Sequence, residues 1–352
     1  MNEELLTYQQ RILPGVSRTF ALTIPQLPPG LREVVANAYL LCRIADTIED
    51  DPELAAEDKA ACLAAYVDAV RGRGDAAAFA RAVAPRLSAS CPAQERDLVA
   101  HAPEVLAITA GFRPAQRKAI DRCVAVMCEG MAEFQARKNL RGLGTLEDMD
   151  RYCYFAAGVV GEMLTELFCD HCPELMPRRQ ALLPLAVCFG QGLQMTNILK
   201  DVWEDREAGN CWLPRAFFED LPGALARADH AALAPGIDRL VAVAHGHLRS
   251  ALRYTLMIPR SEAGIRRFCL WALGMAVLTL RRIHANPGFA NGQQVKISRR
   301  AVRATVIATS LAARSNGLLQ LMFDLAARDL PETDTLAACP PAGAPVAPGQ
   351  LG

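Results

Sequence analysis

The 352-residue chain has no excess of charge of either sign, because Lys and Arg total 38 and Asp and Glu also total 38. No overall field therefore draws the chain to nucleic acid, and nucleic-acid binding is not expected. Aromatic residues make up only 6% of the sequence, whereas hydrophobic residues make up 51%. A large core with few aromatics and much Ala and Leu favours helices over a β-sandwich.

The sequence also lacks an uninterrupted apolar run of about 20 residues, the length that a membrane-spanning helix needs. Its first residues, MNEELLTYQQRILPG, do not have the basic start and long apolar core of a signal peptide. The expectation is a cytoplasmic protein without a transmembrane anchor, although apolar helices are also compatible with peripheral membrane contact. The Pro/Ala/Gly-rich end, residues 333–352, is predicted to be a disordered tail.

The twelve cysteines are scattered and do not form a pattern typical of a disulfide framework. Many lie within apolar helical stretches and are expected to be reduced core residues: Cys42, Cys123, Cys128, Cys188 and Cys269.

No alternating strand pattern persists in the sequence, and apolar residues recur instead at helical spacing. Breakers such as Pro28-Pro29-Gly30 and Pro287-Gly288 mark the joints between helices, but none is long enough to be an interdomain linker. The sequence therefore predicts one all-α domain, a helical bundle over about residues 5–332. Residues 85–105 are expected to be its least regular part.

Two acidic clusters share the spacing D-x-x-E-D, one in LLCRIADTIEDD and one in NILKDVWEDRE. On a helix this spacing places three carboxylates on one face, where they repel each other unless a cation is present. Mg²⁺ takes one or two carboxylates and completes its shell with water and phosphate oxygens, so two facing clusters would suit a diphosphate. Either cluster alone could be a solvated helix end, but a repeated pattern favours metal binding. The candidate metal ligands are Asp46, Glu49, Asp50, Asp201, Glu204 and Asp205.

Basic residues accompany both clusters. Arg43 precedes Asp46 by three positions, and Lys200 directly precedes Asp201. Arg18, in VSRTFAL, is a third cation in an apolar context. Such cations would bind phosphate oxygens that the metal leaves free. Together with the apolar helices, they predict a substrate with a charged head and a long apolar tail.

Four segments resemble, in order and spacing, the squalene/phytoene synthase family of head-to-head prenyltransferases. They are SRTFAL, RIADTIEDD, YCYFAAGVVGEMLTELF and LQMTNILKDVWED. The resemblance covers roughly residues 10–300 and implies an isoprenoid-synthase helical bundle with a central apolar cavity. It also implies Mg²⁺-dependent condensation of two farnesyl diphosphates through presqualene diphosphate.

The resemblance assigns roles to individual residues. The residues that it implies as Mg²⁺-diphosphate ligands are Asp46, Glu49, Asp50, Asp201, Glu204 and Asp205. It also implies that Tyr152 lies near the developing carbocation, where it is the candidate proton shuttle. Substrate-binding positions are Arg18, Arg43, Lys200, Gln194 and Phe268. Cofactor-binding positions are Asn197, Lys296 and Arg299. Small residues in AAGVVG, which are Ala156, Ala157, Gly158 and Gly161, are expected to leave room for a prenyl chain, to allow close helix packing, or to do both.

The segment at 268–300 looks most like the squalene synthase branch of the family, which implies a second step that uses NADPH. No G-x-G-x-x-G phosphate loop is present, so this cofactor depends on the resemblance alone. A dehydrosqualene or phytoene synthase without the reductive step is the alternative, and a non-catalytic assembly or binding protein of the same fold is a second one. Asn210 stands where family members often carry a flap arginine, which puts one phosphate contact in doubt.

Overall fold

The computed structural model describes residues 3–17, 19–135 and 138–333. Within these ranges the chain forms eighteen α-helices, and one isolated bridge between Leu143 and Pro214 is its only β-type pairing. The predicted all-α class is therefore confirmed. Arg18 and the predicted tail from residue 334 onward lie outside the described residues.

The helices are numbered in chain order. They are α1 (Glu3–Val16), α2 (Phe20–Thr23), α3 (Leu31–Asp50), α4 (Ala56–Val70), α5 (Ala76–Val83), α6 (Ala93–Ala100), α7 (Ala102–Ala110), α8 (Pro114–Gln135), α9 (Leu146–Cys153), α10 (Val159–His171), α11 (Arg179–Lys200), α12 (Val202–Glu207), α13 (Leu221–Arg227), α14 (His230–Met257), α15 (Ala263–Ala285), α16 (Gly292–Val295), α17 (Arg299–Ala312) and α18 (Asn316–Ala327). A π-helical turn, Tyr154–Gly158, joins α9 to α10.

The centre of the bundle is built from α3, α8, α10, α11, α14 and α15, and α11 has its largest contact with α14. Two glycines allow close contact between α11 and the preceding segment, which runs from the π-helical turn into α10. A Cβ atom on Gly161 would lie 2.2 Å from the carbonyl oxygen of Ala186, and one on Gly190 would lie 2.2 Å from that of Ala157. Neither distance is compatible with a side chain, so Gly161 serves close helix packing.

The helical spacing of the sequence is interrupted at two places, and the stretch expected to be least regular is largely helical. The segment NILKDVWED does not form one straight helix, because α11 ends at Lys200 and Asp201 caps it with φ −100° and ψ 15°. The C-terminal segment is divided near Ser315 into α17 and α18. Most of the stretch 85–105 is helical, because Pro92 and Pro103 lie at the starts of α6 and α7, where proline is tolerated.

Two helical segments are long and apolar enough to cross a membrane by length and composition, Pro173–Lys200 and Ala263–Ala285. Their apolar windows are 72% and 67% buried inside the fold, as expected for core helices. Ten of the described cysteines are free thiols, nine of them buried.

Candidate active site

Helix α3 is buried along most of its length but opens on one side. From Val34 to Asp50 every residue is buried except one line of partly or fully accessible side chains. They are Tyr39, Arg43, Asp46, Glu49 and Asp50. Steps of three and four residues place them on a single helix face. This face begins with an aromatic ring, continues with a cation and ends in the first acidic cluster.

A second accessible line runs along the C-terminal half of α11. Between Ala186 and Asp201 the residues that are not buried are Leu193, Gln194, Asn197, Lys200 and Asp201. The Asp205 N–H donates to the Asp201 carbonyl oxygen at 2.8 Å, so the helical turn continues across the break and preserves the D-x-x-E-D spacing. Gln194 and Asn197 therefore share a face with the second acidic cluster.

A third line, on the helix from α9 to α10, is apolar. Tyr152, Ala156, Val160 and Leu164 are each partly accessible. The Tyr152 ring stacks on Trp212 with centroids 4.1 Å apart and an interplanar angle of 6°. Phe134 meets the same tyrosine edge-on at 5.2 Å. The wall that carries Tyr152 is thus aromatic near the acids and aliphatic farther away.

We call the three accessible lines together the recess, and at one end of it carboxylates of the two acidic clusters are close enough to interact. Burial raises the pKa of Asp205 to about 7, and the charges that add to the increase include Glu49 of the other cluster. Burial also raises the pKa of Tyr152 well above its usual range, with further contributions from Glu49, Asp50 and Asp205. Carboxylates of both clusters therefore contribute to the raised pKa of Tyr152, and its phenol stays protonated at neutral pH.

Lys138 lies between the clusters and was not found from the sequence. Its Nζ is 3.0 Å from Glu49 Oε1, and its charge lowers the pKa of both Asp50 and Asp205. Gln135 donates to the Glu49 carboxylate from the end of α8. The signal in the sequence was the basic stretch ARKNLRG directly after an apolar helix. It was missed because a helix end followed by basic residues is common on protein surfaces.

The two described candidate cations lie beside their clusters. Arg43 is 3.8 Å from Asp46 and donates to Glu95 on α6 at 2.5 Å. Lys200 lies 3.1 Å from Asp201. Both have 26–31% of their side chains exposed, so they reach the recess. Arg18, the third candidate, lies outside the described residues.

The donor set suits a hard divalent cation. No group of three or more His, Cys, Asp or Glu side chains among residues 3–17, 19–135 and 138–333 is arranged to hold a metal alone. Mg²⁺ needs only one or two protein carboxylates when phosphate oxygens complete its shell. Burial raises the pKa of Asp46 to about 7, and neighbouring Glu49 adds to the increase. Burial and the neighbouring like charge thus disfavour the ionised carboxylate, and a bound cation would offset this penalty.

The predicted cofactor segment touches the second cluster at one point. The Gly292 N–H, at the start of α16, donates to Glu204 Oε1 at 2.9 Å. Lys296 is exposed and its Nζ lies 3.5 Å from Gln293 Oε1, while Arg299 is exposed at the first turn of α17. The backbone of this segment therefore contacts the site, whereas its cations lie on the outer surface.

Phe268 lies within an aromatic group that lines the recess at a distance from the acids. Its ring meets Phe168 edge-on at 6.1 Å and Phe20 at 6.4 Å. Phe20 in turn lies 5.0 Å from Tyr39, the first residue of the accessible line on α3. Phe20 and Phe268 thus meet beside the first residue of the accessible line on α3.

The loop after α12 closes over Tyr152. Gly209 has φ +79°, a conformation that glycine adopts without strain, and the Asn210 N–H donates to the Asp205 carbonyl oxygen at 2.8 Å. The loop then pairs with the chain before α9, where the Leu143 N–H donates to the Leu213 carbonyl oxygen at 2.9 Å. This pairing places Trp212 on the Tyr152 ring.

Asp51 adjoins the first cluster but has a different role. It is 3% exposed and caps the end of α3. Its carboxylate accepts N–H bonds from Glu53 at 3.0 Å, Leu54 at 3.1 Å and Ser88 at 2.6 Å. These bonds lower its pKa, even though burial acts in the opposite direction. Asp51 is therefore a structural anchor.

Two well-defined cavities lie away from the recess. One of about 400 Å³ is bordered by Arg178, Arg260 and Asn316, and one of about 220 Å³ is bordered by Phe217 and Arg239. Neither includes a residue of the acidic clusters.

Comparison with known proteins adds three findings. A family model described as squalene/phytoene synthase matches residues 13–301. The squalene synthase ERG9 of Candida albicans is 28% identical over 302 residues, which cover 83% of this chain and 65% of that protein. The chain thus spans just under two thirds of this relative's length.

Two solved structures have a similar fold. The structure described as TcSQS with ligand E5700 is 25% identical with a TM-score of 0.75, covering 96% of this chain and 94% of that one. A dehydrosqualene synthase in complex with a ligand is 18% identical with a TM-score of 0.62, covering 89% of this chain and 98% of that one. At this identity the second match shows the fold alone.

Proposed function

Because the chain belongs to the squalene/phytoene synthase family, we propose that it is a prenyltransferase that condenses two farnesyl diphosphates head to head. The observation that carries this proposal is the pair of acidic clusters that act together on Asp205 and Tyr152 at one end of an apolar recess. Such a recess matches a substrate with a diphosphate head and a hydrocarbon tail. A non-catalytic protein of the same fold would not need these aligned acids.

The diphosphate ends of the substrates would lie between the clusters. Asp46 and Asp50 would hold Mg²⁺ from one side, and Asp201 and Asp205 from the other, with Glu49 and Glu204 as the remaining ligands. When bound, Mg²⁺ neutralises the charge of a leaving diphosphate. Arg43, Lys200 and Lys138 would bind phosphate oxygens, because the side chains of all three lie at the clusters.

The apolar wall would hold the prenyl chain and exclude water. Ala156, Val160 and Leu164 present only hydrocarbon to the recess, and an allylic cation survives only where water cannot reach it. The aromatic faces of Tyr152 and Trp212 provide the electron-rich surface that a cation prefers.

Tyr152 would handle the proton that is lost when the cyclopropane of presqualene diphosphate forms. Its phenol stays protonated because burial and nearby acids raise its pKa. It therefore suits a relay in which the hydroxyl donates its proton to diphosphate while it accepts another. A role as a preformed phenolate base is disfavoured.

For the second step, we propose reduction to squalene. NADPH supplies a hydride to the rearranged cation in such a reaction. The support is the 268–300 segment, whose Gly292 N–H contacts Glu204 of the metal site. The exposed charges of Lys296 and Arg299 are of the correct sign for a nucleotide phosphate, and Asn197 lies on the accessible face of α11. Dehydrosqualene or phytoene synthesis, which needs no NADPH, is the alternative.

One incubation separates these possibilities. Purified protein with Mg²⁺ and farnesyl diphosphate is assayed with and without NADPH, and the products are extracted and identified. We expect presqualene diphosphate without NADPH and squalene with it. A C30 product with an additional central double bond, formed equally well without NADPH, would refute the reductive step. Preference for geranylgeranyl diphosphate would indicate phytoene synthesis instead.

A further inference from the structure

The last two helices, α17 and α18, turn large apolar side chains outward. Eight large hydrophobic residues are exposed among the residues that the structure describes, and five of them lie on these two helices. We call these five the C-terminal apolar face: Ile307 (61% exposed), Leu311 (83%), Leu318 (45%), Leu321 (55%) and Leu325 (57%). An exposed leucine is ordinary on its own, but five large apolar side chains exposed on two helices in contact with each other indicate an interaction surface.

Helix α17 turns polar side chains toward the protein and large apolar side chains toward solvent. Its inner side packs on α15 through polar contacts, since Trp271 Nε1–H donates to Ser310 Oγ at 3.2 Å and Gly274 leaves room for Thr305. Ile307 and Leu311 lie on the opposite side, one turn apart. The side of α17 that carries hydroxyl groups thus packs against the protein, and Ile307 and Leu311 remain exposed to solvent.

The α17 part of this face is basic, whereas α18 carries one exposed acid, Asp324, between Leu321 and Leu325. From residue 299 to residue 315 the sequence contains no acidic residue and four arginines, which are Arg299, Arg300, Arg303 and Arg314. All four are exposed. Arg300 and Arg303 share the outward side of α17 with Ile307 at steps of three and four residues. A chain with no net charge therefore concentrates four positive charges beside its most exposed apolar residues.

We propose that the C-terminal apolar face docks the protein on the surface of an anionic lipid bilayer. The leucines and Ile307 would enter the boundary between headgroups and acyl chains, and Arg300, Arg303 and Arg314 would bind lipid phosphates, as in interfacial amphipathic helices. This inference stands on the surface alone and goes beyond the proposed reaction.

Two other occupants fit the face less well. A second copy joined about a two-fold axis would bring two sets of four arginines together, and like charges oppose such a contact. The chain's own residues 334–352 contain only Leu336, Val346 and Leu351 as large aliphatic residues and no aromatic residue. They offer little apolar surface to cover five exposed side chains.

Vesicle binding by the full chain tests the proposal. Sedimentation is measured with phosphatidylcholine vesicles and with vesicles that contain about one third phosphatidylserine, at low and high salt. We expect binding to the anionic vesicles that weakens with salt. Arg300→Gln combined with Arg303→Gln should weaken it about 30-fold, because each arginine near the surface contributes ~1 kcal/mol.

The apolar contribution needs its own variant and controls. Leu311→Ser combined with Leu321→Ser should reduce binding at every salt concentration. Met176→Ser and Arg117→Gln, exposed residues elsewhere, should change nothing. The altered side chains are all exposed, so thermal unfolding should match the parent protein and exclude misfolding.

Three outcomes would overturn the proposal. They are failure to bind anionic vesicles, binding that neither double variant weakens, and equal binding to neutral vesicles. A dimer in light scattering that the leucine substitutions dissociate would identify a second copy as the occupant, and would also refute the proposal. Prenyltransferase activity is scored separately in detergent, so loss of one property does not imply loss of the other.

Discussion

Tyr152 and Trp212 form a parallel stack, with ring centroids 4.1 Å apart and planes 6° apart. One ring belongs to the end of α9 and the other to the loop that follows the second acidic cluster. The loop position is held by the backbone pairing of Leu143 with Leu213. The stack therefore connects the segment after the second acidic cluster with the wall of the recess.

Replacing Trp212 should affect both stability and turnover. We expect Trp212→Leu to lower the free energy of unfolding by about 2 kcal/mol, because the stack and part of a buried ring are lost. Turnover should fall about tenfold as Tyr152 loses its fixed orientation, whereas Trp212→Phe should retain most of it. Chemical denaturation and product formation are measured on the same preparations.

Two controls distinguish orientation from general damage. Trp271→Phe, a substitution of a buried tryptophan on α15, should lower stability without changing turnover. Tyr152→Phe should keep the stack and the stability but lower turnover, because only the hydroxyl is lost. Full turnover in Tyr152→Phe would contradict the proposed proton relay.

The neighbouring acids Asp50 and Asp51 should give opposite results. Asp51→Ala removes the acceptor of three backbone N–H bonds and should cost about 3 kcal/mol of stability, with turnover little changed where the protein is folded. Asp51→Asn should cost less, because one acceptor oxygen remains. Stability is read from urea unfolding at constant pH.

Asp50→Asn should abolish turnover and leave stability without Mg²⁺ unchanged or slightly higher. The reason is that Glu49 and Asp46 repel the Asp50 charge, and the amide removes this repulsion. Asp201→Asn should behave in the same way. Retained activity in both variants would refute the metal assignment. So would an unchanged response to ligand, in which Mg²⁺ and inorganic diphosphate raise the melting temperature of the variants as much as that of the parent protein.

Lys138 should contribute to diphosphate binding. Lys138→Met removes the cation beside Glu49 and near Asp205, so we expect kcat/KM to fall about 10- to 100-fold through loss of a charged hydrogen bond. Lys138→Arg should restore most of the activity. Lys118→Met, an exposed lysine on α8, is the matched control. An unchanged dissociation constant for diphosphate in Lys138→Met would contradict this role.

Two glycines should respond to alanine in opposite directions. Gly161→Ala would place a methyl group 2.2 Å from the Ala186 carbonyl oxygen, and should lower the free energy of unfolding by at least about 2 kcal/mol. Gly317→Ala, at the start of α18 with nothing within 4 Å, should raise it by about 0.5 kcal/mol. Thermal unfolding compares the two. A tolerated Gly161→Ala would mean that α10 and α11 are not in close contact.

The parts of the site that follow from helical spacing could be predicted from the sequence. The recurring D-x-x-E-D pattern placed Asp46 and Asp50 on one face of α3 and led to the second cluster on the other side of the recess. The contributions of Lys138 and Trp212 could not be predicted, because each reaches the site from a loop whose path depends on tertiary contacts. No local pattern specifies such a path.

Other errors have similarly physical causes. Apolar periodicity continues through Asp201, so it does not show where α11 ends. For Gly161 the sequence left close packing and space for a ligand equally open, since both require a missing side chain. Only the distance to the neighbouring backbone decides between them.

The π-helical turn Tyr154–Gly158 determines the angle around the helix axis between Tyr152 before it and Val160 after it. A π turn uses one more residue than an α turn. In a regular α-helix, Val160 would lie about 80° around the axis from Tyr152, because eight residues exceed two turns. The additional residue cancels most of this angle and brings the aromatic and aliphatic side chains onto one line. The alignment of the tyrosine with the hydrocarbon wall thus depends on the π geometry of this turn: eight residues in regular α geometry would separate the two side chains, whereas a seven-residue spacing in a regular α-helix would leave them within about 20° of each other.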